Sequence, residues 1–116
     1  MTLVFKASSN VIPKLTAGTG RIGIRISSHP IAAGLAEALG GPITATSANR
    51  SGAVENVSAQ EVLQWLGEDL EAVIDGWPAP GGMGSTFLDV TADPPVLLRE
   101  GAVPKERIFE ALRGKA

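Results

Sequence analysis

Arg21-Ile22-Gly23-Ile24-Arg25-Ile26-Ser27-Ser28-His29-Pro30 changes its period part-way along, and that change decides the fold class. From Arg21 to Ile26 apolar residues alternate strictly with arginine or glycine, the two-residue repeat of a strand. Its side chains sort into Ile22, Ile24 and Ile26 on one face and Arg21, Gly23 and Arg25 on the other. Past Ser27 and Ser28, either of which can cap a helix, Ile31, Leu35 and Leu39 recur every four residues among alanines until Gly40-Gly41 stops the run.

Upstream, Thr2 to Ala7 is a β-branched and aromatic run that ends in turn-forming Ser8-Ser9-Asn10 and predicts a strand. Pro13 to Gly20 reads as a Gly- and Thr-rich connection. Downstream, Pro42 leads a strand, Ile43-Thr44-Ala45-Thr46, into the polar loop Ser47 to Gly52. Ser58-Ala59-Gln60-Glu61 has capping-box spacing and opens a helix through Leu66 whose apolar face is Val62, Leu63, Trp65 and Leu66. Ala72 to Asp75, Ser85 to Val90 and Val96 to Arg99 predict further strands, with a loop from Gly76 to Gly84. Pro104 suits the first position of a last helix that can dock Ile108, Phe109 and Leu112. Strands and helices interleave, so the expected fold is α/β: a mixed twisted sheet with flanking helices, in one domain over residues 1–116.

The chain has 116 residues, 44% of them hydrophobic, a composition that allows one compact domain. Fourteen Gly and eight Pro against 4% aromatics predict many turns and a core of Val, Ile, Leu and Ala. A net charge of −2 argues against a broad basic surface for nucleic acid, so any anion site is local. Without cysteine there is no disulfide, thiolate nucleophile or zinc-thiolate site, which fits a cytoplasmic protein. The opening MTLVFKASS has no long apolar stretch, so neither a signal peptide nor a membrane span is expected.

Four residues at strand rise separate the α-carbons of Arg21 and Arg25 by about 13 Å, so the two guanidiniums can converge over Gly23 on a carboxylate or phosphate. An ordinary solvated strand face gives the same pattern, and more commonly. Ser47 and Asn49 can bond phosphate or ribose oxygens at the end of a strand, yet such clusters occur at many strand-to-loop exits. Gly18 to Gly23 matches G-x-G-x-x-G, but a strand follows where a dinucleotide fingerprint requires a helix. Gly81-Gly82-Met83-Gly84-Ser85-Thr86 lacks the lysine of a phosphate-binding loop, although its glycines leave Ser85 able to approach a ligand. His29, ahead of Pro30, reads as a capping or surface residue. Asp75, Asp89 and Asp93 fit no defined metal loop and read as turn and surface carboxylates.

Taken in order, TLVFKAS, GRIGIRISSHP, GGPITATSANRSG, GGMGSTFLDV and PPVLLREGAV resemble the carboxy-terminal half of the YrdC family of threonylcarbamoyl-AMP synthases, from Thr2 to about Val103. The ordered set is far more specific than any one of its segments, and it favours the ligand-binding reading of the two arginines. The resemblance implies a YrdC-like fold with its amino-terminal half missing, along with the basic Lys and Arg motif that half carries. It implies L-threonine, bicarbonate and ATP as substrates, with Mg²⁺ arriving on the ATP instead of in a protein cage. It also implies partner proteins that pass the threonylcarbamoyl group to tRNA, and contact with tRNA or double-stranded RNA.

By position in the motifs, Arg25, Ala45 and Ser85 are similar to the family's threonine-binding residues. Arg21, Ser47, Asn49, Glu55 and Arg99 are similar to its nucleotide-side residues. No side chain is assigned as a catalytic group, because the substrate's own carbamate is the nucleophile. Ala53-Val54-Glu55-Asn56-Val57 departs from the Pro-rich stretch usual in the family, so the loop over the nucleotide is expected to differ. The missing half raises the alternative of a non-catalytic nucleotide-binding, RNA-binding or assembly module. It also predicts self-association, with Thr2 to Ala7 as the exposed edge.

Overall fold

The computed structural model describes residues 1–50, 52, 58–76 and 83–114. In chain order its elements are β1 (Thr2–Lys6), α1 (Pro13–Thr16), β2 (Arg21–Ile24), α2 (Pro30–Leu39), α3 (Ala59–Leu66), a 3-10 turn (Gly67–Asp69), β3 (Phe87–Asp89), β4 (Val96–Arg99) and α4 (Lys105–Arg113). They fall into two compact units, Met1–Ile26 with Gly82–Ala116, and Ser27–Gly81.

The first unit holds a four-stranded sheet in the order β2-β1-β3-β4. β1 pairs antiparallel with β2 and parallel with β3, and β3 pairs antiparallel with β4, so the sheet is mixed as the interleaved pattern predicts. β1 therefore lies inside the sheet. The expectation that Thr2 to Ala7 forms an exposed edge is wrong, because a parallel partner 80-odd residues away in sequence leaves no local trace; the edges are β2 and β4. Cross-strand partners share a face. Leu3 with Ile24, Phe5 with Ile22 and Leu88 with Leu97 make one face apolar, while Thr2, Val4, Gly23, Phe87 and Asp89 lie on the other with Arg21 and Arg99.

Burial is sparse and unexpectedly polar. Val4, Leu88 and Ile108 are the buried hydrophobic residues among those described, joined by Thr2, Thr16, Thr86 and Asp89. The isoleucine face of β2 stays largely in solvent: Ile24 is 50% exposed and Ile26, just past the strand, 94%. The Pro13 to Gly20 connection contains a short helix, α1, started by Pro13 and closed at Ala17, whose φ of 47° is left-handed. Thr16 Oγ1 bonds back to the Pro13 carbonyl at 3.0 Å, a local bond that composition does not reveal. Pro104 is the cap of α4 and not its first helical residue.

In the second unit α3 begins where the capping box places it. Ser58 Oγ accepts from the Glu61 amide at 3.2 Å, and the Glu61 carboxylate accepts from the Ser58 amide at 3.3 Å. α2 ends at Gly40, whose φ of 73° suits the residue without a side chain. Its cap is His29, not a serine; Ser27 Oγ instead accepts from the His29 amide at 3.1 Å. Ile43 to Thr46 and Ala72 to Asp75 do not form strands. Neither segment pairs with another strand among the described residues, and β-branched composition without a neighbour makes no ladder. Gly76 to Gly84 lies mostly outside the described residues.

Candidate functional site

Four of the expected site residues, Arg21, Arg25, Ser85 and Arg99, lie in the sheet-bearing unit, and the last three of them come together. Arg21 and Arg25 both reach across β1, but they do not converge over Gly23. Arg21 Nη1 donates to Asp89 Oδ2 at 2.9 Å, while Arg25 Nη1 donates to Ser85 Oγ at 2.5 Å. Between these contacts Gly23 faces the Phe87 ring; a Cβ there would stand 3.1 Å from Thr2 Cγ2 and 3.9 Å from Phe87 Cε1. The bare glycine thus belongs to packing, not to the space between two arginines.

Convergence occurs instead at Ser85. Arg99, at the end of β4, donates from Nε and Nη2 to the Ser85 carbonyl at 3.0 and 2.7 Å, and its guanidinium lies 4.7 Å from the centroid of Phe87. One residue thus receives Arg25 on its hydroxyl and Arg99 on its carbonyl. Among the described residues the ion pairs are Arg21–Asp89 and Arg50–Asp69, so Arg25 and Arg99 hold their charge beside a neutral partner. In a chain of net charge −2 this is a local concentration of positive charge.

Arg21 is arranged differently. Asp89 is buried, contrary to its reading as a surface carboxylate, and its Oδ1 accepts from the Thr91 amide at 2.8 Å and the Thr91 hydroxyl at 2.6 Å. Those two bonds, with the Arg21 charge adding to them, hold its carboxyl below the usual range against the opposing effect of burial. Asp89 is thereby occupied as an acceptor. Among the described residues no three His, Asp or Glu side chains gather as a metal site, so these residues do not fit a protein metal cage.

Ala45, Ser47 and Asn49 lie in the second unit on a segment without regular structure. Thr46 Oγ1 donates to the Ser47 carbonyl at 3.3 Å, and Asn49 Nδ2 donates to the Arg50 carbonyl at 3.2 Å, both local loop bonds. Glu55 lies outside the described residues. The sequence alone does not mark Thr86 and Gly101, whose contacts flank Ser85, or the burial of Asp89; the Gly-Ser-Thr run beside Ser85 is the available signal. No helix among the described residues is long and apolar enough to cross a membrane.

A family model described as Telomere recombination, Sua5/YciO/YrdC, matches residues 1–101. Threonylcarbamoyl-AMP synthase of Bacillus subtilis is 38% identical over 98% of this chain, and that of Pyrococcus abyssi 40% over 97%. The chain spans 33% of the length of each. Among solved structures, P. abyssi Sua5 complexed with L-threonine is similar with a TM-score of 0.87 and 39% identity, covering 94% of this chain and 32% of that one. E. coli YciO is similar with a TM-score of 0.69 and 32% identity, covering 89% of this chain and 50% of that one. The mixed sheet, the ordered motifs and these likenesses lead to one conclusion: the chain belongs to the Sua5/YciO/YrdC family.

Proposed function

We propose that the Arg25, Ser85 and Arg99 cluster is part of the substrate site of a threonylcarbamoyl-AMP synthase, which converts L-threonine, bicarbonate and ATP to threonylcarbamoyl-AMP and pyrophosphate. The observation that carries this is the convergence of two guanidiniums, neither facing a carboxylate among the described residues, on one neutral serine. Such a site suits a pair of anionic substrates, an amino-acid carboxylate and a nucleotide phosphate. The names of the relatives supply the reaction, and the L-threonine complex of P. abyssi Sua5 supports the amino acid.

In this reading Arg25, Ala45 and Ser85 serve threonine, while Arg21, Ser47, Asn49, Glu55 and Arg99 serve the nucleotide. The threonine amine adds to CO₂ derived from bicarbonate and loses a proton, giving a carbamate. A carbamate oxygen then forms a bond to the α-phosphorus as the bond to the leaving pyrophosphate breaks. No protein nucleophile is required; position and positive charge are what the chain contributes. Arg25 pairs with the threonine carboxylate and Arg99 steadies the phosphate side. Magnesium belongs to the ATP substrate. Onward transfer of the threonylcarbamoyl group to tRNA by partner proteins extends the same reading.

A protein spanning the length of the relatives is expected to release pyrophosphate from ATP, with bicarbonate and labelled L-threonine, only when threonine is present. Release without threonine, or no release, would overturn the proposal. Calorimetry on the 116-residue chain separates the alternative of a non-catalytic binding or assembly module: tight ATP binding with turnover by this chain would refute that alternative, and weak or absent binding would favour it.

A further inference from the structure

We propose that Thr86 is a positioning residue: its buried hydroxyl sets the Ser85 peptide at the point where Arg25 and Arg99 meet. This rests on the reading of that cluster as a ligand site and adds to it a side chain that touches no ligand.

Thr86 has 0% of its surface exposed. Its Oγ1 donates to the Val103 carbonyl at 2.7 Å and accepts from the amides of Gly101 at 2.9 Å and Val103 at 3.0 Å. The main chain reinforces these bonds. The Ala102 amide donates to the Gly84 carbonyl at 2.9 Å, and the Thr2 amide to the Thr86 carbonyl at 2.8 Å. Gly101 permits the approach, since a Cβ there would collide with the Gly84 carbonyl oxygen and the Ser85–Thr86 peptide. Residues 84–86 are therefore clamped between β1 and the segment that follows β4.

Arg99 ends β4 two residues before Gly101. The Thr86 hydroxyl thus ties the segment presenting Ser85 to the strand end presenting Arg99, and so fixes both partners of one contact. A fully satisfied buried hydroxyl has a single low-energy arrangement, and losing it leaves two amides and a carbonyl to find new partners. Valine has nearly the shape of threonine without the oxygen, so it separates this role from space filling.

The test follows the Arg99 Nε–H resonance by nuclear magnetic resonance in the 116-residue chain, in Thr86→Val and in Thr86→Ser. The signal is expected to exchange slowly in the wild type and in Thr86→Ser. In Thr86→Val it is expected to be lost to fast exchange while β1 amides keep their shifts. An unchanged Arg99 signal in a folded Thr86→Val chain overturns the proposal. Should that variant not fold, Thr86→Ser decides: a retained signal supports the proposal, and a lost signal in a folded chain overturns it. In the full-length enzyme, Thr86→Val is expected to raise half-saturating L-threonine roughly tenfold with a smaller change in kcat, and Thr86→Ser to restore it. If the full-length wild type shows no response to threonine while the Arg99 signal behaves as expected, the positioning role stands and the proposed function falls.

Discussion

The two units of this chain differ most in what they bury. Thr2, Val4, Thr16, Thr86, Leu88, Asp89, Gly101 and Ile108 are buried in the sheet-bearing unit, whereas no described residue of the unit Ser27–Gly81 is buried. The helices of that second unit leave Leu35, Leu39, Leu63 and Trp65 substantially exposed. The site residues divide in the same way. Arg21, Arg25, Ser85 and Arg99 are held by long-range bonds in the sheet-bearing unit, while the Thr46–Ser47 and Asn49–Arg50 bonds join sequence neighbours. The difference teaches that the arginine cluster is preorganised by tertiary structure, whereas Ser47 and Asn49 lie on a segment without regular structure.

Gly101→Ala tests the sheet side most severely. The new methyl would meet three backbone atoms, which cannot swing aside as a side chain can. Overpacking typically costs about 1 to 3 kcal/mol, and the upper end is expected here. Urea unfolding of the 116-residue chain measures it; a loss under about 0.5 kcal/mol would show that the segment bearing Ser85 is not clamped.

The arginines test the site. On the proposed function, in a protein spanning the length of the relatives, Arg25→Ala is expected to raise the threonine requirement more than the ATP requirement, and Arg99→Ala to do the reverse. Loss of a charge-assisted bond is worth about 1.5 to 3 kcal/mol, or roughly ten- to a hundred-fold in affinity. Because both guanidiniums bond to Ser85, the double variant is expected to be non-additive. Equal effects of each substitution on both substrates would dissolve the division between threonine and nucleotide sides.

Asp89 gives a pH signature confined to the sheet unit. Its carboxyl titrates below its ordinary value of 3.8, so the folded state favours the ionised form. The stability it contributes is complete above the ordinary value and is lost as pH falls through the lowered one. Asp89→Asn is expected to flatten part of the acid limb of the stability curve and to leave its slope near neutral pH unchanged. An acid limb identical in wild type and variant would show that the bonds from Thr91 and Arg21 do not favour the carboxylate.

What the sequence disclosed follows the range of the interaction responsible. β2 was legible from alternation, the start of α3 from the Ser58 and Glu61 spacing, and the end of α2 from Gly40, all signals within a few residues. The interior place of β1 depends on a partner beginning at Phe87, and the Arg21–Asp89 pair spans 68 positions, so spacing carried neither. Arg99 was legible only through family motifs, and Ser85 through them and the glycines beside it. That they meet, with Thr86 and Gly101 beside them, depends on contacts between residues 14 or 15 positions apart.

Gly34→Ala is the smallest expected effect and the counterpart of Gly101→Ala. Gly34 lies inside α2, and a Cβ built there meets nothing within 4 Å. Its φ is not in the left-handed region, so alanine needs no change of backbone. Glycine in a helix interior costs about 0.5 to 1 kcal/mol relative to alanine, because it loses more conformational freedom on folding. The same substitution that disrupts the sheet unit is therefore expected to stabilise α2 by about that amount. Hydrogen exchange resolved by residue distinguishes the units: protection is expected to rise at the amides of α2, with β1 unchanged. A loss of protection in α2 would mean that its small-residue face is covered, and the contrast between a clamped sheet and an open helical unit would fail at that helix.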